Sequence, residues 1–463
     1  MDAQQSIARR AEPAMSVQDL HDQVKGGRID SVLMAFPGLY GLRGKQFEAR
    51  FFLEQVLRHG ADASAYLLTA DADMRFLQGF DLVGWDSGAG DVLLRPDPGT
   101  LRPAGWTRDS VLVLADVLDA AQQLIPVAPR AVLAGQVRRL EQDAVSASLG
   151  LEAEALAYKI TGRAAARRGY RDLPAAGDVG GDYALEHPDA FTGLLAALRR
   201  AARVSALPLE AVKTEAGLGQ LEITFRHGAP VAAADAHAVY KLLARKVAQQ
   251  QRMSVTFMAK PYTAVDGNSC HLHLSLHTAD GVGLVDQAGA LTALGEHAVA
   301  GALAALGDLA VLMLPYVNSY KRLHTDPPLF APTTLTWGYD NRTTAIRVVG
   351  RGAGGHLECR IPGADAQPHL AAAALLAACG HGIGQQLSLT AEPVVGNAYQ
   401  RPGAPLLPLT LDQAVCRFAG SALAGELFGA DVVEHYATAA RHEIAYHRGV
   451  VTNVERERGF ARA

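Results

Sequence analysis

Polar and apolar positions alternate along several short segments of the chain and recur at helical spacing along several longer ones. Alternation is typical of half-buried strands, whereas the longer period is typical of amphipathic helices. Strand periodicity appears at 152–160, 211–225, 254–260, 271–276, 334–337, 345–349 and 356–361. Helical periodicity appears at 190–205, 232–252, 288–305 and 370–384. We therefore predict a mostly antiparallel sheet backed by helices, an α+β fold.

The first part of the chain forms a smaller unit by the same pattern. Residues 1–15 are expected to be a flexible tail, after which Ser16 caps an amphipathic helix and an apolar strand follows at 31–36. Another strand is predicted at 111–116.

Beyond that strand, the segment Pro126-Val-Ala-Pro-Arg130 precedes a helical pattern that extends to Leu149. We place a domain boundary near residue 120, which predicts an N-terminal domain at 16–120 and a larger domain at 121–463.

Composition narrows the class of protein. A chain of 463 residues with 49% hydrophobic content can bury two substantial cores, and a net charge of −4 without basic runs argues against a nucleic-acid partner. No apolar segment has the length of a signal peptide or a membrane span, so we expect a cytoplasmic protein without a membrane partner. Its four cysteines show no paired spacing and lie in predicted strands or helices, which indicates buried, reduced thiols.

Three predicted strands carry polar side chains spaced by two. Side chains at i and i+2 of a strand point to the same face, so each pair projects into one space. One such pair alone is usually part of a solvated strand face, but three pairs of acids, imidazoles and a guanidinium favour a common site. Carboxylates with a single imidazole suit Mg²⁺ or Mn²⁺ better than zinc. The pairs are Glu152 with Glu154, His271 with His273, and Glu358 with Arg360.

A glycine-rich segment could be mistaken for a nucleotide fingerprint. Gly350-Arg-Gly-Ala-Gly-Gly355 matches G-x-G-x-x-G, but it precedes a predicted strand, and the fingerprint requires a helix there. A P-loop sequence is also lacking. Any nucleotide must therefore be held by metals and arginines.

Three longer motifs carry a family resemblance. They are Asn318-Ser-Tyr-Lys-Arg322, Asn341-Arg-Thr-Thr-Ala-Ile-Arg347 and the segment 357–370. In this order they resemble the glutamine synthetase superfamily, and the likeness extends from about residue 16 to Arg458. The resemblance implies a β-grasp N-terminal domain, a catalytic domain with a funnel-shaped site open at both ends, and two stacked hexameric rings, a dodecamer with active sites between subunits.

The same resemblance implies roles for individual residues. It places one metal, next to the ATP phosphates, on Glu152, His271 and Glu358, and a second, next to the amino-acid substrate, on Glu154, Glu215 and Glu222. It assigns ATP contacts to His273, Ser275, Arg342, Arg347 and His356. It assigns L-glutamate contacts to Asp266, Gly267, Arg322 and Arg360, with Arg342 and Arg322 also catalytic. Asp266 and His356 stand where the family usually has Asn and Arg.

Two departures concern the acceptor of the glutamyl group. The carboxylates that hold ammonium in glutamine synthetases align with Gln78 and with Phe330, which follows Asp326-Pro-Pro-Leu329. An amide and an aromatic ring remove the attraction for a small cation. We therefore expect an organic primary amine, with Gln78 and Phe330 as substrate-binding positions and Phe330 also at the catalytic centre. Phe330 favours an apolar or aromatic monoamine, whereas a polyamine would use Asp81, Asp86, Asp91 or Asp326.

The predicted reaction has two steps: ATP phosphorylates the γ-carboxylate of L-glutamate, and the amine then displaces phosphate. Three alternatives remain at this point. They are a genuine glutamine synthetase that uses ammonium, a non-catalytic scaffold with the same fold, and a phosphagen kinase, which would need no glutamate.

Overall fold

A computed structural model describes residues 14–86, 88–178, 181–324 and 330–462. The expected N-terminal tail lies almost wholly outside the described residues, as do Asp326 and the three residues that follow it. Ser16 does cap the first helix as predicted, because its hydroxyl accepts from the Asp19 backbone N–H while Asp19 accepts from the Ser16 N–H.

The N-terminal unit is a mixed five-stranded sheet. Its strand order is β2-β1-β5-β4-β3, with β1 and β5 parallel and the remaining pairs antiparallel. The strands are β1 (Ser31–Gly38), β2 (Gly41–Glu48), β3 (Ala61–Ser64), β4 (Asp91–Pro103) and β5 (Ser110–Leu118). Its helices are α1 (Val17–Lys25), α2 (Ala49–Phe51) and α3 (Leu57–His59), the last two joined by a π-helical turn.

The larger unit contains an eight-stranded sheet that carries the predicted polar pairs. Strand order is β11-β12-β13-β10-β6-β8-β7, β9 also pairs with β6, and only β11 and β12 are parallel to each other. The strands are β6 (Val145–Tyr158), β7 (Leu209–Thr214), β8 (Gln220–Phe225), β9 (Ser254–Thr256), β10 (Leu272–Thr278), β11 (Trp337–Tyr339), β12 (Ile346–Val349) and β13 (His356–Cys359). The α+β prediction is thereby confirmed.

Helices pack against this sheet and share its apolar core. They are α4 (Pro129–Gln142), α5 (Gly162–Arg167), α6 (Asp189–Val204), α7 (Pro230–Gln250), α8 (Ala293–Ala305), α9 (Val317–Tyr320), α10 (Pro368–Gly384), α11 (Leu411–Gly420), α12 (Ala422–Phe428), α13 (Ala430–Gly449) and α14 (Asn453–Gly459). Helices α8 and α10 cross at Gly301 and Gly382, where an added Cβ would lie about 2 Å from a facing carbonyl oxygen. Only glycine permits that close backbone contact. Among the described residues, no helix is at once long enough and apolar enough to cross a membrane.

A buried arginine joins the two units. Arg130 on α4 contacts Asp97 and Asp116 of the N-terminal sheet and Asp235 of α7, and Asp235 also lies 2.8 Å from His369 Nε2. Because the surrounding carboxylates are partly or fully buried, they hold the pKa of Arg130 above its usual range despite its own burial. The small sheet is therefore fixed to the helices of the larger unit within the chain.

The structure corrects some of the predicted boundaries. The helical pattern does not reach Leu149: α4 ends at Gln142, Ala144 takes a positive φ of 56°, and β6 begins at Val145. The small and apolar residues 145–149 fit either period, and pairing with β10 decides in favour of a strand. The segment 211–225 is two strands joined by a turn, and 254–260 is a strand only to Thr256. Cys416 is exposed, contrary to prediction, whereas the other three cysteines are buried.

Candidate active site

Strand register places the first group of polar side chains in a row. Glu154 on β6 pairs directly with Glu222 on β8, and Glu222 pairs on its other side with Lys213 on β7. Directly paired residues on antiparallel strands share a face, so these three side chains project into the same space. Glu152 precedes Glu154 by two residues and joins that face.

A second row crosses the other half of the sheet. His273 on β10 pairs with Glu358 on β13, and Glu358 pairs with Arg347 on β12. Arg347 Nη1 donates to Glu358 Oε2 at 2.9 Å, and Arg360 donates to the other carboxylate oxygen. His271 Nδ1 lies 3.4 Å from Glu358 Oε1 and 3.0 Å from Glu152 Oε2. Glu152 therefore bridges the two rows.

The six predicted metal ligands fall into the two predicted groups. The candidate ligand atoms of Glu152, His271 and Glu358 all lie within 4.8 Å of one another, and so do those of Glu154, Glu215 and Glu222. We call them the phosphate-side cluster and the substrate-side cluster.

The substrate-side cluster has an excess of buried negative charge. Glu154 accepts from the Ser269 N–H at 2.7 Å and from the Ser269 hydroxyl, yet burial and the charge of Glu215 raise the pKa of Glu154 to about 7. Burial and the charge of Glu152 raise the pKa of Glu222 to about 9. Such carboxylates bind a proton readily when no other cation neutralises them.

The phosphate-side cluster carries its own cations. Burial works to raise the pKa of Glu358, but the neighbouring His271 and Arg360 hold it at about 2. Burial likewise opposes ionisation of Glu152, but the hydrogen bond from His271 and the interactions with His273 together outweigh it, so the pKa of Glu152 is lowered. His273 Nε2 lies 3.0 Å from Glu152 Oε1 without the alignment of a hydrogen bond.

Both clusters fit hard divalent cations. Five carboxylates and one imidazole are oxygen-rich donor sets of the kind that Mg²⁺ and Mn²⁺ accept. A divalent cation would also offset the negative charge that raises the pKa values of Glu154 and Glu222. The residues present therefore suit the metals that the sequence predicted.

Both clusters open into one cavity of about 390 Å³. Its lining includes the six cluster residues and the predicted substrate or nucleotide residues Asp266, Gly267, Arg322, Phe330, Arg342, Arg347 and Arg360. Most of the site predicted from sequence is thus brought together in space.

Four predicted residues do not line this cavity. His273 and His356 lie beside it, with His273 Nδ1 3.1 Å from His356 Nε2, and Ser275 follows His273 on the same face of β10. Gln78 lies elsewhere, where its backbone carbonyl faces His442 of α13 at 2.7 Å. Gln78 therefore does not reach the cavity of its own chain.

The predicted glutamate site is tightly built around Arg322. This arginine is 4% exposed and donates to the Ile361 carbonyl oxygen at 3.1 Å. A Cβ at Gly267 would lie 2.6 Å from Arg322 Cγ and 2.5 Å from the Ala259 carbonyl oxygen. Glycine at 267 thus leaves room for the arginine to reach the cavity.

Phe330 is exposed at the cavity, unlike the aromatic residues of the core. The residue is 60% exposed, its φ is +54°, and its carbonyl oxygen accepts from Arg360 at 3.4 Å. An exposed ring at the rim of a polar cavity offers an apolar surface to a ligand.

Several residues of the cavity are not predicted from the sequence. Lys213 contacts Glu215 and Tyr183, and Gln220 Nε2 donates to the Gly267 carbonyl oxygen at 3.0 Å. Lys213 stands two residues before Glu215, so the spacing rule that identifies the acid pairs could also have identified this lysine. Lys260, Asp182 and Tyr183 line the cavity from loops, where no periodic pattern marks them.

The chain matches a known family and known sequences over most of its length. The sequence model of the family described as glutamine synthetase, catalytic domain, matches residues 126–459. The chain is 42% identical over 451 residues to the gamma-glutamylethanolamide synthetase GlnA4 of Streptomyces coelicolor, covering 97% of this chain and 96% of that protein. It is 30% identical over 451 residues to the glutamate–isopropylamine ligase of a Pseudomonas species, covering 96% of this chain and 98% of that protein.

The fold is also similar to solved structures. The structure titled GmaS/ADP complex superposes with a TM-score of 0.82 at 26% identity, and the match covers 96% of this chain and 99% of that one.

Proposed function

The chain belongs to the glutamine synthetase family, and from that premise we propose that it is an ATP-dependent ligase that joins L-glutamate to a primary organic amine through the γ-carboxylate. The observation that carries the proposal is the pair of carboxylate clusters facing one cavity with Arg322, Arg342, Arg347 and Arg360. Relatives aligned over nearly the whole chain carry the names of γ-glutamyl amine ligases.

Each part of the cavity has a chemical task in this proposal. The two clusters would hold Mg²⁺ or Mn²⁺, which when bound offset the charge of the ATP phosphates and of glutamate. Arg342 and Arg347 offer forked N–H donors to phosphoryl oxygens, and Arg322 offers them to a substrate carboxylate. Because the guanidinium groups of Arg322 and Arg347 already hold hydrogen bonds to protein atoms, they are in place to stabilise charge that develops in the transition state.

We further propose that the amine is a small monoamine with an uncharged tail. Phe330 presents an exposed ring where glutamine synthetases place a carboxylate, and the two relatives named above act, by their names, on ethanolamine and isopropylamine. A polyamine would need acidic partners for its second ammonium group. Asp81, Asp86 and Asp91, which were considered for that role, lie outside the cavity of their own chain, as Gln78 does, so they could contact the amine only across a subunit interface.

The decisive experiment measures phosphate release from ATP with L-glutamate and Mg²⁺ or Mn²⁺, across ammonium, ethanolamine, isopropylamine, aniline, putrescine and spermine, with mass spectrometry of the products. A γ-glutamylamide formed with a monoamine, and only with glutamate present, is the expected result. Turnover with ammonium alone would identify a glutamine synthetase, a preference for putrescine or spermine would overturn the monoamine proposal, and no turnover would favour a scaffold.

Oligomeric assembly is part of the same proposal. Gln78 lies against α13 of its own chain rather than in its own cavity, so it can take part in the site only if it reaches the cavity of a neighbouring subunit. We expect a dodecamer of two hexameric rings, and mass photometry of the purified protein tests this. A monomer with full activity would exclude a shared site.

A further inference from the structure

A second cavity, of about 410 Å³, lies between the N-terminal unit and the larger unit. The β1–β2 hairpin forms one wall, α7 and α13 form two others, and the segment 365–368 at the start of α10 contributes a fourth. None of its lining residues lines the catalytic cavity. Cavities of this volume are typical of binding sites for small molecules.

Helix α7 presents two cations to this second cavity. Lys241 and Arg245 are four residues apart, so they lie on one face of the helix, and both line the cavity. The Lys241 ammonium donates to the Ala366 carbonyl oxygen at 2.8 Å, its one hydrogen bond to a described residue, and an ammonium has three donors. Like charges at this spacing destabilise a helix, so an anion bound between them would be stabilising.

The Arg245 guanidinium has no partner of its own within the described part of the chain. It is exposed and makes no hydrogen bond or ion pair there. Its Nη2 would lie 3.9 Å from a Cβ added at Gly41, so the side chain reaches the β1–β2 hairpin. A guanidinium offers forked N–H donors that match a carboxylate.

Helix α13 presents a carboxylate to the same cavity. Glu443 Oε1 lies 3.1 Å from His447 Nε2 and accepts from the Val317 N–H at 3.4 Å, whereas Oε2 accepts no hydrogen bond from the described residues. Lys241 and Arg245 form no ion pair with this carboxylate, although all three side chains line the cavity. The cationic and anionic walls therefore face one cavity without neutralising each other.

Aromatic side chains lie between the charged walls. Tyr40 of the hairpin and Tyr316, just before α9, have ring centres 5.5 Å apart, and both line the cavity together with Leu39 and Met258. Aromatic faces attract an ammonium group and also pack against apolar side chains. Asp365, whose Oδ2 accepts from a serine hydroxyl at 2.8 Å, adds a second carboxylate to the lining.

We propose that this cavity is a second ligand site, for a small zwitterion of the amino-acid class with an apolar side chain. The ligand carboxylate pairs with Lys241 and Arg245, its ammonium group pairs with Glu443, and its side chain lies against Tyr40 and Tyr316. A simple anion would be repelled by the acidic wall, and a simple amine by the cationic wall. Only a ligand with both charges matches both walls. The site is separate from the ligase reaction proposed above and does not depend on it.

Isothermal titration calorimetry of the full-length protein, without nucleotide, tests the site with glycine, L-alanine, L-leucine and L-phenylalanine. An amino acid can also enter the glutamate site, so each titration is repeated with Gly267→Ala, in which the added Cβ displaces Arg322. We expect at least one of the four to bind at one site per chain with the same affinity in that variant. Binding that Arg245→Met removes is assigned to the second cavity.

Two analogues of the tightest-binding amino acid test the need for both charges. One lacks the ammonium group and the other lacks the carboxylate, as 4-methylpentanoate and 3-methylbutylamine do for L-leucine. Each should bind this site at least tenfold more weakly than the amino acid, because one charged wall is left without a partner.

Arg245→Met and Glu443→Gln should each weaken binding of the amino acid by about tenfold or more. Arg245 has no described partner to lose, so its variant should fold normally, and circular dichroism checks both. Lys246→Met is the matched control, because Lys246 is the next residue of α7, is exposed and does not line the cavity. Its affinity for the amino acid should equal that of the wild type.

Three results would overturn the inference. The first is that none of the four amino acids binds. The second is that the analogue without the ammonium group binds as tightly as the amino acid, which would indicate a simple anion site. The third is binding that weakens in Gly267→Ala but is unchanged in Arg245→Met, which would place the amino acid in the glutamate site. Formation of a γ-glutamylamide is scored separately, so failure of the ligase proposal leaves this test intact.

Discussion

Glu154 and Glu222 face each other directly across two antiparallel strands, and both carboxylates lie in the interior of the site. Like charges at directly opposed positions destabilise a sheet, and burial adds to the effect. The raised pKa values of both groups show that ionising them in this place is unfavourable. A cation that joins them would convert an unfavourable pair into a binding site.

Glu222→Gln should stabilise the metal-free protein. Replacing one opposed carboxylate by an amide removes the repulsion, and we expect the melting temperature to rise by roughly 2 °C in EDTA. In saturating Mn²⁺ the variant should instead melt at a lower temperature than the wild type, because it has lost a metal ligand. Differential scanning fluorimetry in both conditions measures this. Glu210→Gln, an exposed acid on β7, is the control and should change neither value.

Glu358→Gln should destabilise the protein severely. Arg360 is 3% exposed and Arg347 is largely buried, and both would lose their shared carboxylate. Breaking a buried ion pair of this kind typically lowers the free energy of unfolding by about 3–5 kcal/mol. Urea titration gives the change in free energy.

Glu434→Gln is the comparison for that variant. Glu434 and its partner Arg441 are both about half exposed, so the pair should contribute about 1 kcal/mol or less to the free energy of unfolding. Equal losses in the two variants would contradict the role assigned to the buried carboxylate.

Gly267→Ala should impair the use of glutamate without unfolding the chain. The new methyl group would overlap Arg322 Cγ and the Ala259 carbonyl oxygen, so the guanidinium must shift. We expect the KM for glutamate to rise by about tenfold or more while the KM for ATP changes little. Steady-state kinetics with each substrate varied in turn separates the two. Gly162→Ala, at a helix start with open space around it, should behave as wild type.

Acid should loosen the contact between the N-terminal unit and α13. Burial lowers the pKa of His435 to about 4, and its ring packs 4.9 Å from that of Phe80. Below the ordinary histidine pKa of about 6.5 the unfolded chain gains a proton that the native chain does not. Stability should thus be fully present above pH 6.5 and fall by about 3 kcal/mol as the pH drops to 4.

Urea titrations across that pH range measure the slope, which His435→Phe should reduce. The His21→Gln variant, at an exposed position of α1, should retain the wild-type slope. A slope unaltered by the loss of His435 would assign the acid sensitivity to other buried groups.

Phe330→Glu should change the choice of amine. The substitution places a carboxylate at the position that the sequence resemblance aligns with an ammonium-binding carboxylate, and a negative charge favours cationic acceptors. We expect kcat/KM to increase for ammonium and putrescine relative to ethanolamine by about tenfold, the ratio being measured on the same preparation. Phe330→Leu keeps an apolar side chain and should preserve the wild-type order of substrates.

Much of the site could be predicted because its residues lie on strands. The spacing of two in Glu152 with Glu154 and in Glu358 with Arg360 is enough to place both side chains of each pair on one face of their strand. The family resemblance groups the five acids and the imidazole into the clusters that the structure brings together.

Other features depend on contacts that no local pattern records. The strand that begins at Val145 is predicted as helix because its residues fit both periods, and pairing with β10 decides between them. Lys213 fits the same spacing with Glu215, but its place opposite Glu222 depends on strand pairing that the sequence does not record. Gln78 could be aligned with an acceptor position, but its distance from its own cavity depends on how the two units pack.

The register of β6, β8 and β10 has a consequence for how such a protein can diverge. A shift of one residue in any of these strands would turn its cavity-facing side chains toward the core, so single insertions within them are incompatible with the site. Tyr183 and Phe330 lie on loops and are free of that rule. Changes in loop length could therefore alter the amine-side part of the cavity while the cluster residues on these strands stay the same.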